Sequence, residues 1–188
     1  MPEPAAQSPD GDIFLITGVP ASGKSTIAEA LAQRTSRSVH LRGDIFRRFV
    51  INGRVEMSAD PEPEAVQQLR LRYELSAHAA RAYAAAGFTV FYQDVILGDF
   101  LGEVVELLRP ARLHVVVLVP SIDEVERRER GRIKVAYRPG EYTAAQLAAG
   151  LESTTPRIGY WLDSSGLTVA ETVEQIMANR AAARIRVR

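Results

Sequence analysis

Cysteine is absent from this 188-residue chain, and lysine nearly so: of 23 basic residues only Lys24 and Lys134 are Lys. Without cysteine there are no disulfides and no thiolate metal sites, which fits a reducing compartment. Net charge is also missing, since 23 acidic residues balance the 23 basic ones. Nothing global then draws the chain to nucleic acid or an anionic membrane, and any anion site must be local. The opening MPEPAAQSPDGD lacks a basic stretch followed by an apolar run, and no later segment reaches about eighteen apolar residues. The expectation is a cytoplasmic protein with no membrane partner. Internal repeats, low-complexity tracts and dividing linkers are lacking too, so residues 1–10 read as a frayed tail and 11–188 as one domain.

What is present is an alternation of strand and helix. The apolar run 12–17 meets a glycine turn, and Ile27, Ala28, Ala30 and Leu31 then recur at helical spacing. A second strand is expected at 38–41, then a short helix at 44–50. Asp60 reads as the cap of a long helix with Pro61 as its first residue; Val66, Leu69, Tyr73, Ala77, Ala80 and Ala84 form its inner stripe and Gly87 its end. The run 88–94 is a strand finishing in a carboxylate, 99–108 a helix and 113–119 an interior strand. Ser121-x-x-Glu124, Thr143-x-x-Gln146 and Thr168-x-x-Glu171 match capping boxes, so helices should begin at all three. This order predicts an α/β fold, a parallel sheet covered on both faces.

Between the first strand and helix stands GVPASGKST, residues 18–26, which fits G-x-x-x-x-G-K-[ST] in the context that makes the pattern a site. Gly18 and Gly23 let the backbone of Val19, Pro20, Ala21 and Ser22 turn its N–H groups around phosphate oxygens. Lys24 reaches the β- and γ-phosphates, Ser25 offers a hydroxyl to Mg²⁺, and Thr26 continues the first turn. The cargo is a nucleoside triphosphate, read as ATP with Mg²⁺. No N-K-x-D guanine motif is present and the chain is too short for a motor, so a small kinase is favoured.

Such an enzyme needs a base, a carboxylate near the metal and cations over the transferred phosphoryl group. Asp44 follows the second strand, on the sheet edge where ligands bind in open α/β folds, and is the candidate base and acceptor contact; a plain helix cap is its alternative. Arg47, one turn on, would share its face, either binding an anionic substrate group or pairing with Asp44. Asp94 ends the third strand as a Walker-B-like carboxylate does, able to orient Mg²⁺ or touch substrate, with Gln93 beside it. In the Arg-rich lid, about residues 127–142, Asp123, Glu124 and Glu126 can pair at i,i+4 with Arg127, Arg128 and Arg130. Arg132 and Lys134 lie beyond Gly131 without such partners and are the better phosphate cations, with Arg128 or Arg130 able to switch to ATP. His40, His78 and His114 show no ligand spacing and read as structural, and Trp161 as core packing.

GVPASGKST, GDIFRRF, FYQDVILGDF, the Arg-rich lid and YWLDSSGLT together resemble the chloramphenicol phosphotransferase-like P-loop kinases, a branch that also holds polynucleotide 5′-kinase and zeta-toxin-type domains. The resemblance implies strand order 2-3-1-4-5, Asp44 as general base, and an adenine pocket partly made by residues 162–168. Asp44 with Arg47 matches a polynucleotide-kinase pattern, Asp94-Val95 an antibiotic-kinase one. The first reading is an ATP-dependent kinase acting on a hydroxyl of a small molecule, an antibiotic, nucleoside or sugar-like metabolite. The alternatives are a polynucleotide 5′-hydroxyl kinase, against which stands the acidic SADPEPE near the acceptor side, and a non-catalytic ATP-sensing partner protein. Oligomeric state is not legible.

Overall fold

A computed structural model describes residues 10–130 and 143–186. Five parallel strands form one sheet: β1 (Asp12–Gly18), β2 (Ser38–Arg42), β3 (Thr89–Gln93), β4 (Arg112–Leu118) and β5 (Tyr160–Leu162), in the order β2-β3-β1-β4-β5. This is the order the resemblance implies. The register aligns Ile16 with Gln93 and with Val116, so the strands bordering β1 end level with the glycine loop. Every residue of β1 is buried, as expected for a strand covered on both faces.

The period of two in β1 separates two cores. Ile13 and Leu15 point into one cluster, with Tyr73, Ala77 and Ala80 of α3 (Pro63–Ala85), Leu101 and Val104 of α4 (Phe100–Leu108), Val125 of α5 (Ile122–Arg130) and Leu151 of α6 (Ala144–Thr154). Phe14 and Ile16 point into the other, with Ile27, Ala28 and Leu31 of α1 (Lys24–Gln33), Val173 and Ile176 of α7 (Val169–Ala178) and Ala183 of α8 (Arg180–Ala183). The short α2 (Asp44–Arg48) connects β2 to the loop before α3. No helix among the described residues is long and apolar enough to cross a membrane.

Two expectations about α3 are corrected. The helix begins at Pro63, not Pro61, with Glu62 extended at φ −61, ψ 150 as its cap position. Asp60 and Glu62 each precede a proline, which disfavours helical backbone, so the helix starts only at the second proline. Its buried stripe begins at Ala65 rather than Val66. The boxes at Thr143 and Thr168 are complete, both side chains reaching the opposite backbone N–H. At Ser121 only half forms: the hydroxyl accepts from Glu124 N–H at 3.3 Å, while the Glu124 carboxylate turns to arginines instead.

Candidate active site

The loop from Gly18 to Lys24 leaves β1 through backbone that only glycine adopts without strain. Gly18 has φ +144, and a Cβ there would lie 2.5 Å from the Leu118 carbonyl oxygen. Gly23, at φ +97, starts α1 with no side-chain cap, so the N–H groups of the first turn face the loop's concavity uncapped. Lys24 is buried and folds into the loop, its Nζ donating to Val19 O at 2.7 Å and lying 3.4 Å from Ser22 Oγ. Ser25 and Thr26 are exposed beside it. The donors gathered here are N–H groups and one ammonium, a set suited to phosphate oxygens.

The carboxylate Asp94 sits at the end of β3, almost fully buried, and it is not alone. Arg72, from the middle of α3, grips it with both arms of its guanidinium, Nη2 to Oδ1 at 2.6 Å and Nε to Oδ2 at 3.0 Å. Sequence reasoning missed Arg72. The Val95 N–H adds a bond to Oδ1 at 2.8 Å. Burial raises the Asp94 pKa above the ordinary carboxylate value, and Arg72, the Val95 N–H and the nearby charge of Lys24 hold part of that rise back. For Arg72, burial disfavours the charge, but attraction to Asp94, Tyr73 and Tyr92 and the hydrogen bond to Asp94 together outweigh it, and the pKa ends above its usual value. The turn after Asp94 is locked as well. Thr17 Oγ1 exchanges two hydrogen bonds of 2.9 Å with the Ile96 backbone, and Tyr73 Oη donates to Val95 O at 2.7 Å.

Asp44 opens α2 next to Gly43, whose N–H donates to the Gln93 carbonyl at 3.0 Å. A Cβ on Gly43 would fall 2.2 Å from Asp94 Oδ2, so residue 43 packs directly on the Asp94 carboxylate. The expected Asp44–Arg47 relation is corrected. Asp44 pairs with Arg48 at 2.7 Å and lies 3.6 Å from Arg42, whereas Arg47 turns to Glu56. On a helix the i+4 position lies nearer in azimuth than i+3, and Glu56 in the following loop takes Arg47 away.

Of the three expected i,i+4 pairs in the lid, Glu124–Arg128 and Glu126–Arg130 form and Asp123–Arg127 is corrected. Arg127 makes a fork to Glu124, with both bonds at 2.7 Å, rather than to Asp123. Arg128 shares Glu124 at 2.6 Å and extends further, donating to Ser22 O and Ser164 O, each at 3.1 Å. It therefore ties α5 to the glycine loop and to the loop after β5. Bonds from Arg127 and then Arg128 hold Glu124 down to about 2. Arg130 faces Glu126 at 4.0 Å as expected. Arg132 and Lys134 lie outside the described residues. Trp161 is half-buried on the core, its ring covered by Arg157 at 4.0 Å. His114 is buried against Phe14 and Asp12 at the far end of the sheet, His78 is exposed on α3, and His40 pairs with Glu29 and lines a cleft with Ser25 and Thr26.

A family model described as an AAA domain matches residues 13–156. A UPF0200 protein of Thermococcus gammatolerans is 34% identical over 113 residues, which are 60% of this chain and 50% of that protein, so the chain spans about half the length of this curated relative. Among solved structures, the Mycobacterium tuberculosis APS kinase in complex with AMPPNP and APS superposes with a TM-score of 0.68 at 19% identity, over 90% of this chain and 97% of that one. A sugar kinase from Janibacter gives 0.65 at 18% identity, over 92% and 96%. The Deinococcus radiodurans tunicamycin resistance protein gives 0.64 at 18%, over 94% and 99%. At these identities the likeness is one of fold.

Proposed function

The chain belongs to the AAA domain family, and from that premise we propose that it is an ATP-dependent phosphotransferase acting on a hydroxyl group of a small molecule. The observation that carries this reading is the meeting of two parts at one sheet edge: the uncapped glycine loop with the Lys24 ammonium folded into it, and Asp44, which follows β2 directly after Gly43, the residue that packs on the Asp94 carboxylate. The kinases among the structural neighbours agree with it, as does the narrower likeness to chloramphenicol phosphotransferase-like enzymes in Asp94-Val95.

In this proposal the loop N–H groups and Lys24 bind the β- and γ-phosphates of ATP, and Lys24 exchanges its bond to the Val19 carbonyl for phosphate oxygens. Mg²⁺, for which Ser25 is the proposed ligand and Asp94 an indirect one, would neutralise charge on those phosphates. Asp44 orients the acceptor hydroxyl and takes its proton as the oxygen attacks the γ-phosphorus and the bond to the β-phosphate oxygen breaks. Arg128 holds the loop in shape from α5; Arg132 is proposed to close on the transferred group. Arg47, paired with Glu56, is the proposed contact for an anionic group on the acceptor.

The test is a thermal-shift screen of hydroxylated metabolites with a non-hydrolysable ATP analogue, followed by γ-phosphate transfer to each hit. Ligand binding raises apparent stability by mass action, so a true acceptor shifts the transition beyond the analogue alone. Transfer only to RNA or DNA 5′-ends would replace this reading with the polynucleotide kinase, and analogue binding without transfer to any acceptor would replace it with a nucleotide-sensing role.

A further inference from the structure

Arg72 is the charged group at this site for which the proposed chemistry has no use. Its side chain is 13% exposed and that of Asp94 2%, so the pair is taken almost wholly out of water. Buried ion pairs rarely stabilise a fold more than apolar residues of the same volume would, which makes stability a poor reason for this one. Its placement gives a better reason. The guanidinium fork fixes both oxygens of Asp94, and one of them, Oδ2, is the atom against which Gly43 packs. Gly43 is also bonded to the end of β3 through Gln93 O, and the next residue is Asp44. The neighbouring Tyr73 holds Val95 from the same helix turn.

We propose that Arg72 is a positioning residue of the phosphoryl-transfer site: by clamping Asp94 it sets the surface on which Gly43 rests and hence where Asp44 stands relative to the glycine loop. This rests on the kinase reading for its kinetic consequence, but not for its geometric one. The Arg72 guanidinium is spent on Asp94. It acts through Asp94 and Gly43, linking the long helix α3 to the start of α2.

Two variants and two kinds of measurement test it. Crystal structures of Arg72→Met and wild type compare the position of Gly43 and Asp44 against the P-loop, and need no acceptor. A displacement of about 1 Å is expected, of the size that can cost roughly 10²-fold in rate. With an acceptor in hand, Arg72→Met should lower kcat by about that factor while the Kd for the ATP analogue stays within about threefold. Arg72→Lys keeps the charge and should fold in any case, but an ammonium cannot make the fork; it should retain the melting temperature and still lose about tenfold in kcat. Asp44 unmoved in the Arg72→Met structure, or wild-type kcat in Arg72→Lys and Arg72→Met well below their melting temperatures, would overturn the proposal. A displaced Asp44 in a protein whose wild type phosphorylates nothing would instead sink the kinase reading and leave the positioning role intact.

Discussion

Gly43→Ala exposes the packing on which the site depends. The backbone at this position is φ −63, ψ −30, which any residue adopts, so conformation alone would make alanine stabilising by about 0.4–1 kcal/mol through the unfolded chain. The contacts reverse that sign. The new Cβ would meet Asp94 Oδ2 at 2.2 Å, Asp94 Cγ at 2.7 Å and the Tyr92 ring at 3.0 Å. Asp94 cannot yield readily, because Arg72 holds both of its oxygens and the Val95 N–H one of them. Overpacking of this kind costs about 1–3 kcal/mol, which for a chain of this size lowers the melting temperature by roughly 2–12 °C. Gly102→Ala in α4 is the matched control, since its Cβ would meet nothing within 4 Å. It should gain about 0.5–1 kcal/mol, the helical advantage of alanine. Calorimetry on both variants decides the matter. A Gly43→Ala protein as stable as Gly102→Ala would refute the close approach of residue 43 to Asp94, and with it the route from Arg72 to Asp44.

Three other outcomes follow from the geometry. Asp44→Asn should leave binding of the ATP analogue within a few-fold while lowering transfer by about 10²-fold or more, the scale for a lost general base; a collapse in analogue affinity measured by calorimetry would assign Asp44 to nucleotide binding instead. Arg128→Ala removes charged bonds to Ser22 O and Ser164 O and should weaken analogue binding by about tenfold, with a stability loss of about 1–2 kcal/mol, whereas Arg127→Ala, which loses only an exposed pair, should change neither much; equal effects would refute the distinction. His114 has its pKa lowered, chiefly by burial, so on acidification the unfolded chain, titrating near 6.5, takes up this proton before the folded protein does. The unfolded state then binds more protons, and stability, full above that pH, should fall as pH drops through it. Denaturant midpoints at neutral and mildly acidic pH should differ more in wild type than in His114→Gln; an identical pH dependence would remove His114 as the cause.

Much of this site is written in local sequence. The glycine loop, the carboxylate after β2 and the one ending β3 each follow from a strand that stops and a turn that must begin, and the complete boxes at Thr143 and Thr168 announce their helices. Arg72 is invisible by the same logic. It is one of two arginines in the run Leu69-Arg-Leu-Arg72, and only the crossing of α3 behind the end of β3 gives it a partner 22 residues away. Glu56 claiming Arg47, and Glu124 serving two arginines at once, are likewise choices among equally spaced charges that tertiary placement makes. The start of α3 was legible in principle, since two prolines separated by one residue leave only the second able to open a helix.

The central claim is that phosphate leaves ATP for a hydroxyl other than water's. It is tested most directly by following label from γ-labelled ATP with Mg²⁺ into the acceptors selected by the thermal screen, for wild type and Lys24→Ala. The account predicts stoichiometric label on one class of small hydroxylated compound with wild type, and loss of that transfer in a Lys24→Ala protein that remains folded. Label appearing only as inorganic phosphate, or transfer undiminished without Lys24, would contradict it.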